Sequence, residues 1–263
     1  MKSVEFFDWK LNSGKPFSYM IKSYPDRNFL RIPDIHNALH LALILQGERT
    51  GVHGGEVIRC KEGDFYLTAP WEPHYTLSVA FRHKLILLNI DWDSLQNAFF
   101  TGKELLENLI LLPPCERMKL LNRKLKDTDA GDELSKAVQL PEGREKDLLL
   151  WNLIQKIFIT ALPEQEELIS SAGDYQRLLP ALKGLSNRLS GAKEAAEKCH
   201  LSTGYFSVLF KKQFGMSFGK YERNFRLNGA EAAIRRGCTL KEAADHWDFS
   251  DKSHLARLLK KRK

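Results

Sequence analysis

The sequence predicts an α+β protein of more than one domain, with an N-terminal β-barrel, a helical segment after it and an all-α C-terminal domain. Three observations predict this fold class. Short apolar stretches separated by turn residues fill residues 17–91, two long helical patterns follow, and an internal repeat occupies the last third of the chain. A chain of 263 residues is long enough for one or two domains that each bury a core.

Composition excludes several classes of protein. Hydrophobic residues make up 43% and charged residues 28% of the chain, which is typical of globular rather than disordered proteins. No apolar run approaches the roughly 18 residues of a membrane-spanning helix, and acidic residues interrupt the N-terminus where a signal peptide needs an apolar stretch. The four cysteines form no CxxC pair, which argues against a disulfide scaffold and a structural zinc site. We therefore expect a cytoplasmic protein with no membrane partner.

Residues 1–92 have the pattern of many short β-strands. His53-Gly54-Gly55-Glu56 predicts a hairpin turn, and Glu62-Gly63-Asp64 predicts another. Residues 85–90 (LILLNI) predict a buried strand. Strands without helices between them favour a sandwich or a barrel.

Residues 93–162 predict a helical segment. One helix is expected over residues 94–112, before two prolines, and a second over residues 143–162. The second helix is apolar over most of its circumference, so it must be buried on more than one side. We expect part of it to contact a second copy of the chain in a homodimer; packing onto the barrel alone is the alternative. Residues 163–173 predict a linker, because a proline and acids are followed by small residues.

Residues 174–263 form a basic domain. They carry 19 Lys and Arg against 9 Asp and Glu, a net charge of +10, whereas the rest of the chain carries −3. A basic domain attracts polyanions, and nucleic acid is the usual one. A basic surface that is only solvated is the alternative.

The basic domain contains an internal repeat. Lys193-Glu194-Ala195-Ala196-Glu197 recurs 48 residues later as Lys241-Glu242-Ala243-Ala244-Asp245, and an amphipathic segment follows each copy. Each copy predicts two helices joined by a turn, and Ser202 and Ser250 are expected to cap the second helices. Apolar residues face the core in both second helices, while small and basic residues lie opposite, as suits a helix in a major groove. A helical pair that only packs in a bundle is the alternative.

One long helix is expected between the two copies. It covers residues 217–236 and ends at Gly237, a plausible C′ residue. Thr239 is expected to cap the following helix.

The basic domain resembles the tandem helix-turn-helix domain of AraC-type bacterial transcription regulators. The resemblance rests on Leu201-Ser202-x-x-Tyr205-Phe206-Ser207-x-Leu209-Phe210-Lys211-Lys212-x-Phe214-Gly215, Ser217-Phe218-x-x-Tyr221, Arg226-Leu227-x-x-Ala230 and Ala243-Ala244-x5-Phe249-Ser250-Asp251-x-Ser253-x-Leu255-x-Arg257. It implies that two recognition helices enter successive major-groove segments of double-stranded DNA. Asp248 stands where the family usually has a glycine, and we expect the turn to form there at some cost. The chain also stops before the final short helix of the family, so we expect the second recognition helix to fray.

The resemblance also implies the DNA-contacting residues. The base-facing positions match Gly204, Ser207 and Val208 in the first helix and Lys252, Ser253, Ala256 and Arg257 in the second. Phosphate contacts are expected from Tyr205, Lys211, Lys212 and Arg226. Lys252 and Arg257 can reach guanine O6 and N7, so the second helix is expected to read the sequence more specifically.

The N-terminal domain resembles a cupin, the small jelly-roll barrel at the front of many AraC-type regulators. The resemblance rests on His36-x3-His40-x6-Gly47 and Gly63-Asp64-Phe65-x4-Pro70-x2-Pro73-His74. Cupin enzymes bind a metal with a His-x-His-x3-Glu motif and a later His, and those places are taken here by Asp34, His36, His40 and His74. Even spacing puts the first three on one face of a strand.

A small-molecule effector, such as a sugar or another metabolite, is the expected occupant of the barrel. Its expected contacts are His36, His40, Trp71, His74 and Tyr75. A divalent metal held by the acidic residue and the three histidines is an alternative, as is a fully satisfied core; no other cofactor is expected.

The sequence therefore predicts a DNA-binding transcription regulator, an activator rather than an enzyme, that responds to a small molecule and contacts RNA polymerase. A ligand-independent regulator and a metal-dependent cupin enzyme are the alternatives.

Overall fold

Two compact units, Met1–Gln176 and Arg177–Lys263, make up the chain in this computed structural model. The structure describes residues 5–6, 11, 14–24, 34–36, 38–54, 56–70, 72–80, 82–164, 176–185, 191–214, 216–235 and 237–260. No helix in these ranges is both long enough and apolar enough to cross a membrane.

The described part of the first unit begins with nine strands in two sheets. The strands are β1 (Glu5–Phe6), β2 (Phe17–Tyr24), β3 (Asp34–Ile35), β4 (Leu39–Gln46), β5 (Glu48–His53), β6 (Glu56–Lys61), β7 (Phe65–Thr68), β8 (His74–Val79) and β9 (His83–Ile90). The five-stranded sheet has the order β1-β3-β8-β5-β6 and the four-stranded sheet the order β2-β9-β4-β7. All pairs except β1 with β3 are antiparallel. The predicted fold class is confirmed.

The two predicted turns join strands as expected. Gly54 follows β5 with a φ of 52°, and Gly63 lies between β6 and β7 with a φ of 85°. Both values lie in the left-handed region that glycine enters without a steric penalty. The central strands β4 and β9 are almost wholly buried because apolar side chains occupy both of their faces.

Five helices follow among the described residues of the first unit. They are α1 (Trp92–Ala98), α2 (Lys103–Leu111), α3 (Pro114–Leu125), α4 (Ala130–Ala137) and α5 (Arg144–Ala161). Helix α3 packs on β6 and β7, and its Asn122 amide exchanges hydrogen bonds of 2.7 and 2.8 Å with the backbone of Phe65. These bonds cover the edge strand β7. Strands and helices therefore share one core.

The helical segment differs from the prediction in two places. The single helix expected over residues 94–112 is broken, because Phe99 takes an extended conformation and Gly102 has a φ of 77°. Helices α3 and α4 were not predicted individually, and Pro114 starts α3 rather than only stopping the helix before it. The helix expected over 143–162 is confirmed as α5.

The second unit is all helical over the residues that the structure describes. After a 3₁₀ turn at Gln176–Leu178 come α6 (Leu179–Leu185), α7 (Gly191–Lys198), α8 (Thr203–Phe214), α9 (Phe218–Arg235), α10 (Leu240–His246) and α11 (Lys252–Lys260). The pairs α7–α8 and α10–α11 are the two predicted helical pairs, and all four helices pack on α9. Gly237 follows α9 with a φ of 102°, and Thr239 caps α10 in a capping box with Glu242.

Capping of the second helices is confirmed in one copy and corrected in the other. The Ser202 hydroxyl accepts a 3.3 Å hydrogen bond from the Tyr205 backbone N–H at the start of α8. At the start of α11 the Asp251 carboxylate takes this role, at 2.7 Å from the His254 backbone nitrogen, in place of Ser250. A carboxylate one residue later reaches the same orphan donor of the first turn.

Candidate DNA-binding surface and effector cavity

Helix α8 has one apolar face and one face open to solvent. Phe206, Phe210 and Phe214 are buried and meet Phe218 and Tyr221 of α9 edge to face, at centroid distances of 5.1–5.4 Å. This aromatic core fixes the rotation of the helix about its axis. The predicted contact residues all lie on its exposed side: Gly204, Tyr205, Ser207, Val208, Lys211 and Lys212.

Two of these side chains stand out. Val208 is 69% exposed, a large apolar group in contact with solvent. Tyr205 is 45% exposed, and its hydroxyl accepts a 3.0 Å hydrogen bond from the guanidinium of Arg177, which also lies 5.1 Å from the ring centroid. Sequence reasoning did not select Arg177; its position before α6 gave no signal that it would reach α8.

Helix α11 repeats this arrangement. Leu255 is buried against α9 and α10, in a core with Leu227, Ala230, Ala243 and Ala244. The predicted base-facing residues lie away from this core: Lys252, Ser253 and Arg257 are exposed, and Ala256 is half-buried. Lysine and arginine are the side chains that can donate to guanine in a major groove, and both of these are exposed.

Arg226 is engaged within the second unit rather than extended into solvent. Its guanidinium lies 3.2 Å from the Glu222 carboxylate and 3.4 Å from that of Asp248. It also donates a 3.2 Å hydrogen bond to the carbonyl of Asp248, in the turn between α10 and α11. Arg226 therefore ties α9 to this turn, and a DNA phosphate would have to compete with two carboxylates for it.

The first unit contains a cavity of about 210 Å³. Its walls come from strands of both sheets: Lys22, Tyr24, Asp34, His40, Arg49, Tyr66, His74, Tyr75, Thr76, Val79, His83, Leu85 and Leu87. Four predicted residues, Asp34, His40, His74 and Tyr75, are among them. His36 contacts two of the lining histidines, and Trp71 lies outside the described residues.

Sequence reasoning missed the cationic lining of this cavity. Arg49, Gly51 and His53 alternate on β5 with their side-chain positions on one buried face. That spacing was a usable signal, because a charged residue on the buried face of a strand needs a partner or a ligand.

His36, His40 and His74 come together, but Asp34, His36 and His40 do not share one strand as predicted. The chain leaves β3 after Ile35 and enters β4, in the other sheet, at Leu39, so Asp34 and His40 lie on different strands. One ring nitrogen of each histidine lies within 4.8 Å of the other two. Asp34 stands beside this triad, with its carboxylate 4.0 Å from Nε2 of His74.

Backbone carbonyls fix the tautomers of two of these rings. Nδ1 of His36 donates to the Ala38 carbonyl at 2.8 Å, and Nδ1 of His74 donates to the Glu72 carbonyl at 3.0 Å. The Nε2 atoms, 3.3 Å apart, then face each other as two acceptors. Two imidazoles bound to one Zn²⁺ at 2.0–2.1 Å place their nitrogens about 3.4 Å apart, and ligand histidines are oriented in this way by carbonyls. The residues therefore fit a divalent cation.

Burial keeps these histidines neutral. Desolvation, followed by the charges of neighbouring histidines, holds the pKa of His36 and His40 well below 6.5. Desolvation and the nearby His53 lower the pKa of His74 to about 3. A neutral imidazole is the form that binds a metal or accepts a hydrogen bond from a ligand.

A buried polar chain runs from the cavity to helix α3. Arg49 donates to Nε2 of His53 at 3.1 Å, so the proton of the neutral His53 ring is on Nδ1, facing the Thr68 hydroxyl at 3.1 Å and the Glu72 carboxylate at 3.5 Å. Glu72 in turn forms a fully buried ion pair with Arg117 of α3. Burial raises the pKa of Glu72, and Arg117 opposes this shift.

Two family models match the chain. One, described as an AraC-like ligand binding domain, matches residues 16–92, which hold the cavity. The other, described as a helix-turn-helix domain, matches residues 195–263, which hold α8 and α11. A comparison with curated proteins by sequence found no match.

Several solved structures resemble the chain. ToxT from Vibrio cholerae is 14% identical, with 94% of each chain covered and a TM-score of 0.45. The same protein bound to an unsaturated fatty acid is 12% identical, with 97% of this chain and 94% of that chain covered and a TM-score of 0.40. A cupin 2 conserved barrel domain protein from Rhodopseudomonas palustris is 11% identical over 31% of this chain and 57% of its own, with a TM-score of 0.27. With the two family matches in this order, the chain belongs to the AraC-type transcription regulators, with a ligand-binding domain ahead of a DNA-binding helix-turn-helix domain.

Proposed function

We propose that this regulator binds a small-molecule effector in the cavity of its first unit and that the effector controls its binding to DNA. The observation that carries the proposal is the cavity itself. It is lined by residues of both sheets, holds polar groups from several strands and lies in the region matched by the ligand-binding model. Cavities of this kind are the usual sites of small ligands.

Control of DNA binding follows from linkage. An effector that binds one conformation of the first unit better than another shifts the population toward it. The change in DNA affinity can be no larger than the difference between the effector's affinities for the two states. A series of side-chain contacts runs from Arg49 through His53 and Glu72 to Arg117 and connects the cavity wall to α3. A ligand that binds Arg49 would therefore act on the helical segment.

Recognition of DNA is assigned to the exposed faces of α8 and α11. Lys252 and Arg257 would donate to base edges, and Lys211 and Lys212 to phosphates. Val208 would contact a thymine methyl group, since it is exposed and carries no donor. We propose that the protein acts as an activator in the cytoplasm and contacts RNA polymerase there.

A homodimer through α5 is part of the proposal. Leu148, Leu149 and Ile159 are 47–60% exposed on this helix, although its other side is packed in the core. Leu149→Glu should convert a dimer into a monomer in light scattering, whereas Glu145→Gln should not. A wild-type monomer at micromolar concentration would remove this part of the proposal.

A divalent cation is a second candidate occupant, favoured by the facing Nε2 atoms of His36 and His74. His36, His40 and His74 would hold the ion, which could supply an open position for a ligand. Thermal unfolding with Zn²⁺ or Ni²⁺ against EDTA tests this. A rise in the midpoint that is lost in His36→Ala supports a metal site, and an unchanged midpoint rejects it.

The central proposal is tested by DNA binding in the presence of small molecules. An operator is first selected from random DNA with the purified full-length protein. A metabolite panel should contain compounds that change operator affinity in the wild type and have no effect on the double variant His36→Ala, His74→Ala. That variant should retain its basal affinity. An effector response that survives in it would place the effector elsewhere.

A further inference from the structure

Arg49 is a buried cation in the wall of the cavity. The residue is 4% exposed. Its Nε donates to the Thr76 hydroxyl at 3.2 Å, its Nη1 donates to His53 at 3.1 Å, and its guanidinium lies 4.4 Å from the centroid of the Tyr66 ring. All three partners are uncharged, because desolvation keeps the pKa of His53 well below 6.5 and raises that of Tyr66 to about 12.

No described carboxylate lies within 4 Å of the Arg49 guanidinium, and none of the described residues accepts a hydrogen bond from its Nη2. The guanidinium lies over Gly51, where a Cβ atom would overlap it. The Arg49 side chain thus occupies the space that the side chain of a larger residue at position 51 of β5 would fill. Its donors border the cavity rather than a protein acceptor.

The positive charge of Arg49 is therefore not balanced by a described acidic side chain. An arginine stays charged when buried, and a buried charge without a counter-ion is unfavourable. Arg117 in the same unit is a buried arginine that does have a counter-ion, since its guanidinium is fully buried and paired with Glu72. The counter-ion of Arg49 must come from outside the described chain, and the cavity is the space that can receive it.

We propose that the effector is a small organic anion whose acid group, a carboxylate or a phosphate, pairs with Arg49. The inference rests on the proposed function of the cavity and adds the chemical class of its ligand. Lys22 provides a second cationic side chain in the lining, against one acidic side chain, Asp34. Arg49 is the residue of choice for such a pair, because its planar fork matches the two oxygens of a carboxylate or a phosphate.

The cavity also limits the size and the body of the anion. Its volume of about 210 Å³ exceeds the 150 Å³ of an engineered cavity that binds benzene and is below the 300–1,000 Å³ of drug-sized sites. Tyr24, Tyr66, Leu85 and Leu87 provide apolar surface beside the cations. An acid with a short aliphatic or single-ring body fits these walls.

The test compares acids with neutral molecules that carry the same hydrocarbon body. Thermal unfolding of the full-length protein, in EDTA so that no metal recruits the acid, is followed with benzoate, hexanoate and phenyl phosphate. Benzamide, hexanamide and phenol are the neutral counterparts. We expect at least one acid to raise the unfolding midpoint with a dissociation constant at least tenfold lower than its counterpart, and the better of the carboxylate and phosphate arms identifies the acid group.

Variants locate the response. Arg49→Gln should weaken acid binding about 10–100-fold, as expected for loss of a charged hydrogen-bonded pair. Arg49→Lys keeps the positive charge but not the planar guanidinium, so it should weaken acid binding less. This variant is the control for a folding defect in Arg49→Gln. Arg59→Gln removes a charge from an exposed position on β6 and should have no effect.

The outcomes separate this inference from the proposed function. Neutral compounds that bind as well as the acids, or acid binding that is unchanged in Arg49→Gln, would overturn the anionic class while leaving the cavity as an effector site. If no compound of the panel changes the unfolding midpoint, the proposal of an anionic effector is overturned. The proposed function is then tested separately, by the operator-binding experiment with the double histidine variant.

Discussion

His200 and Asp248, 48 residues apart, take the same left-handed backbone conformation, with φ values of 54° and 57°. Each lies in the turn of its helical pair. The hydrogen bonds around them also repeat with this spacing: Leu201 N–H donates to Ala196 C=O and Phe249 N–H donates to Ala244 C=O, both at 2.9 Å. The internal repeat of the sequence is thus a repeat of backbone geometry.

The second turn is therefore formed without the glycine that the family usually has there. Asp tolerates the left-handed region better than most residues, and Arg226 bonds both its carbonyl and its carboxylate. A β-branched residue does not tolerate this conformation. We expect Asp248→Val to lower the free energy of unfolding by about 1–2 kcal/mol in urea titrations, and Asp248→Gly to lower it by less. Equal losses in the two variants would show that the Arg226 contact, and not the backbone, decides the stability of this turn.

The two recognition helices should respond differently to loss of a cation. Arg257→Ala should lower operator affinity by about 1–3 kcal/mol and relax specificity at one base position. Lys211→Ala should weaken binding to all sequences about equally and reduce the salt dependence, because a phosphate carries no sequence information. Fluorescence anisotropy with operator and scrambled DNA measures both. Equal losses for Arg257→Ala on the two DNAs would contradict its role in base reading.

The ion pair between Glu72 and Arg117 should stabilise the first unit strongly. Both side chains are fully buried, and Arg117 also donates a 2.7 Å hydrogen bond to the carbonyl of Ile110 near the end of α2. Glu72→Gln leaves the Arg117 charge without a counter-ion, so we expect the free energy of unfolding to fall by about 3–5 kcal/mol.

The matched control for this pair is a double replacement. Glu72→Gln with Arg117→Met removes both charges and should recover part of the loss, since an apolar pair can replace a buried ion pair. Urea unfolding of the three proteins measures the coupling. A double variant less stable than Glu72→Gln alone would mean that Arg117 acts mainly through the Ile110 carbonyl.

Local patterns predicted the second unit better than the cavity. The apolar spacing of α8 and the cap at Thr239 depend on residues within one or two turns of helix, so they could be recognised in the sequence. The break between α1 and α2 was missed because two single residues form it, an extended Phe99 and a left-handed Gly102, and neither changes the apolar pattern. The exposure of Arg49 to a cavity depends on which strands share a sheet, and no spacing along the chain specifies that pairing.

Stability of the first unit should depend on pH through its buried histidines. Desolvation holds the pKa of His36, His40, His53 and His74 below the unfolded value of about 6.5. Above pH 6.5 these rings are neutral in both states, so their contribution is fully present. As the pH falls below 6.5, the unfolded chain takes up protons that the folded chain does not, and stability is lost.

The loss should be steep, because each such histidine contributes up to about 1.4 kcal/mol per pH unit. We expect the free energy of unfolding, measured in urea with EDTA present, to fall by several kcal/mol between pH 6.5 and pH 5. His40→Leu removes one imidazole from the core, so the free energy of unfolding should change less steeply with pH. Its dependence on urea concentration should stay the same. The same slope in both proteins would mean that His40 takes up a proton as readily in the folded protein as in the unfolded chain, which its burial among three other imidazoles opposes.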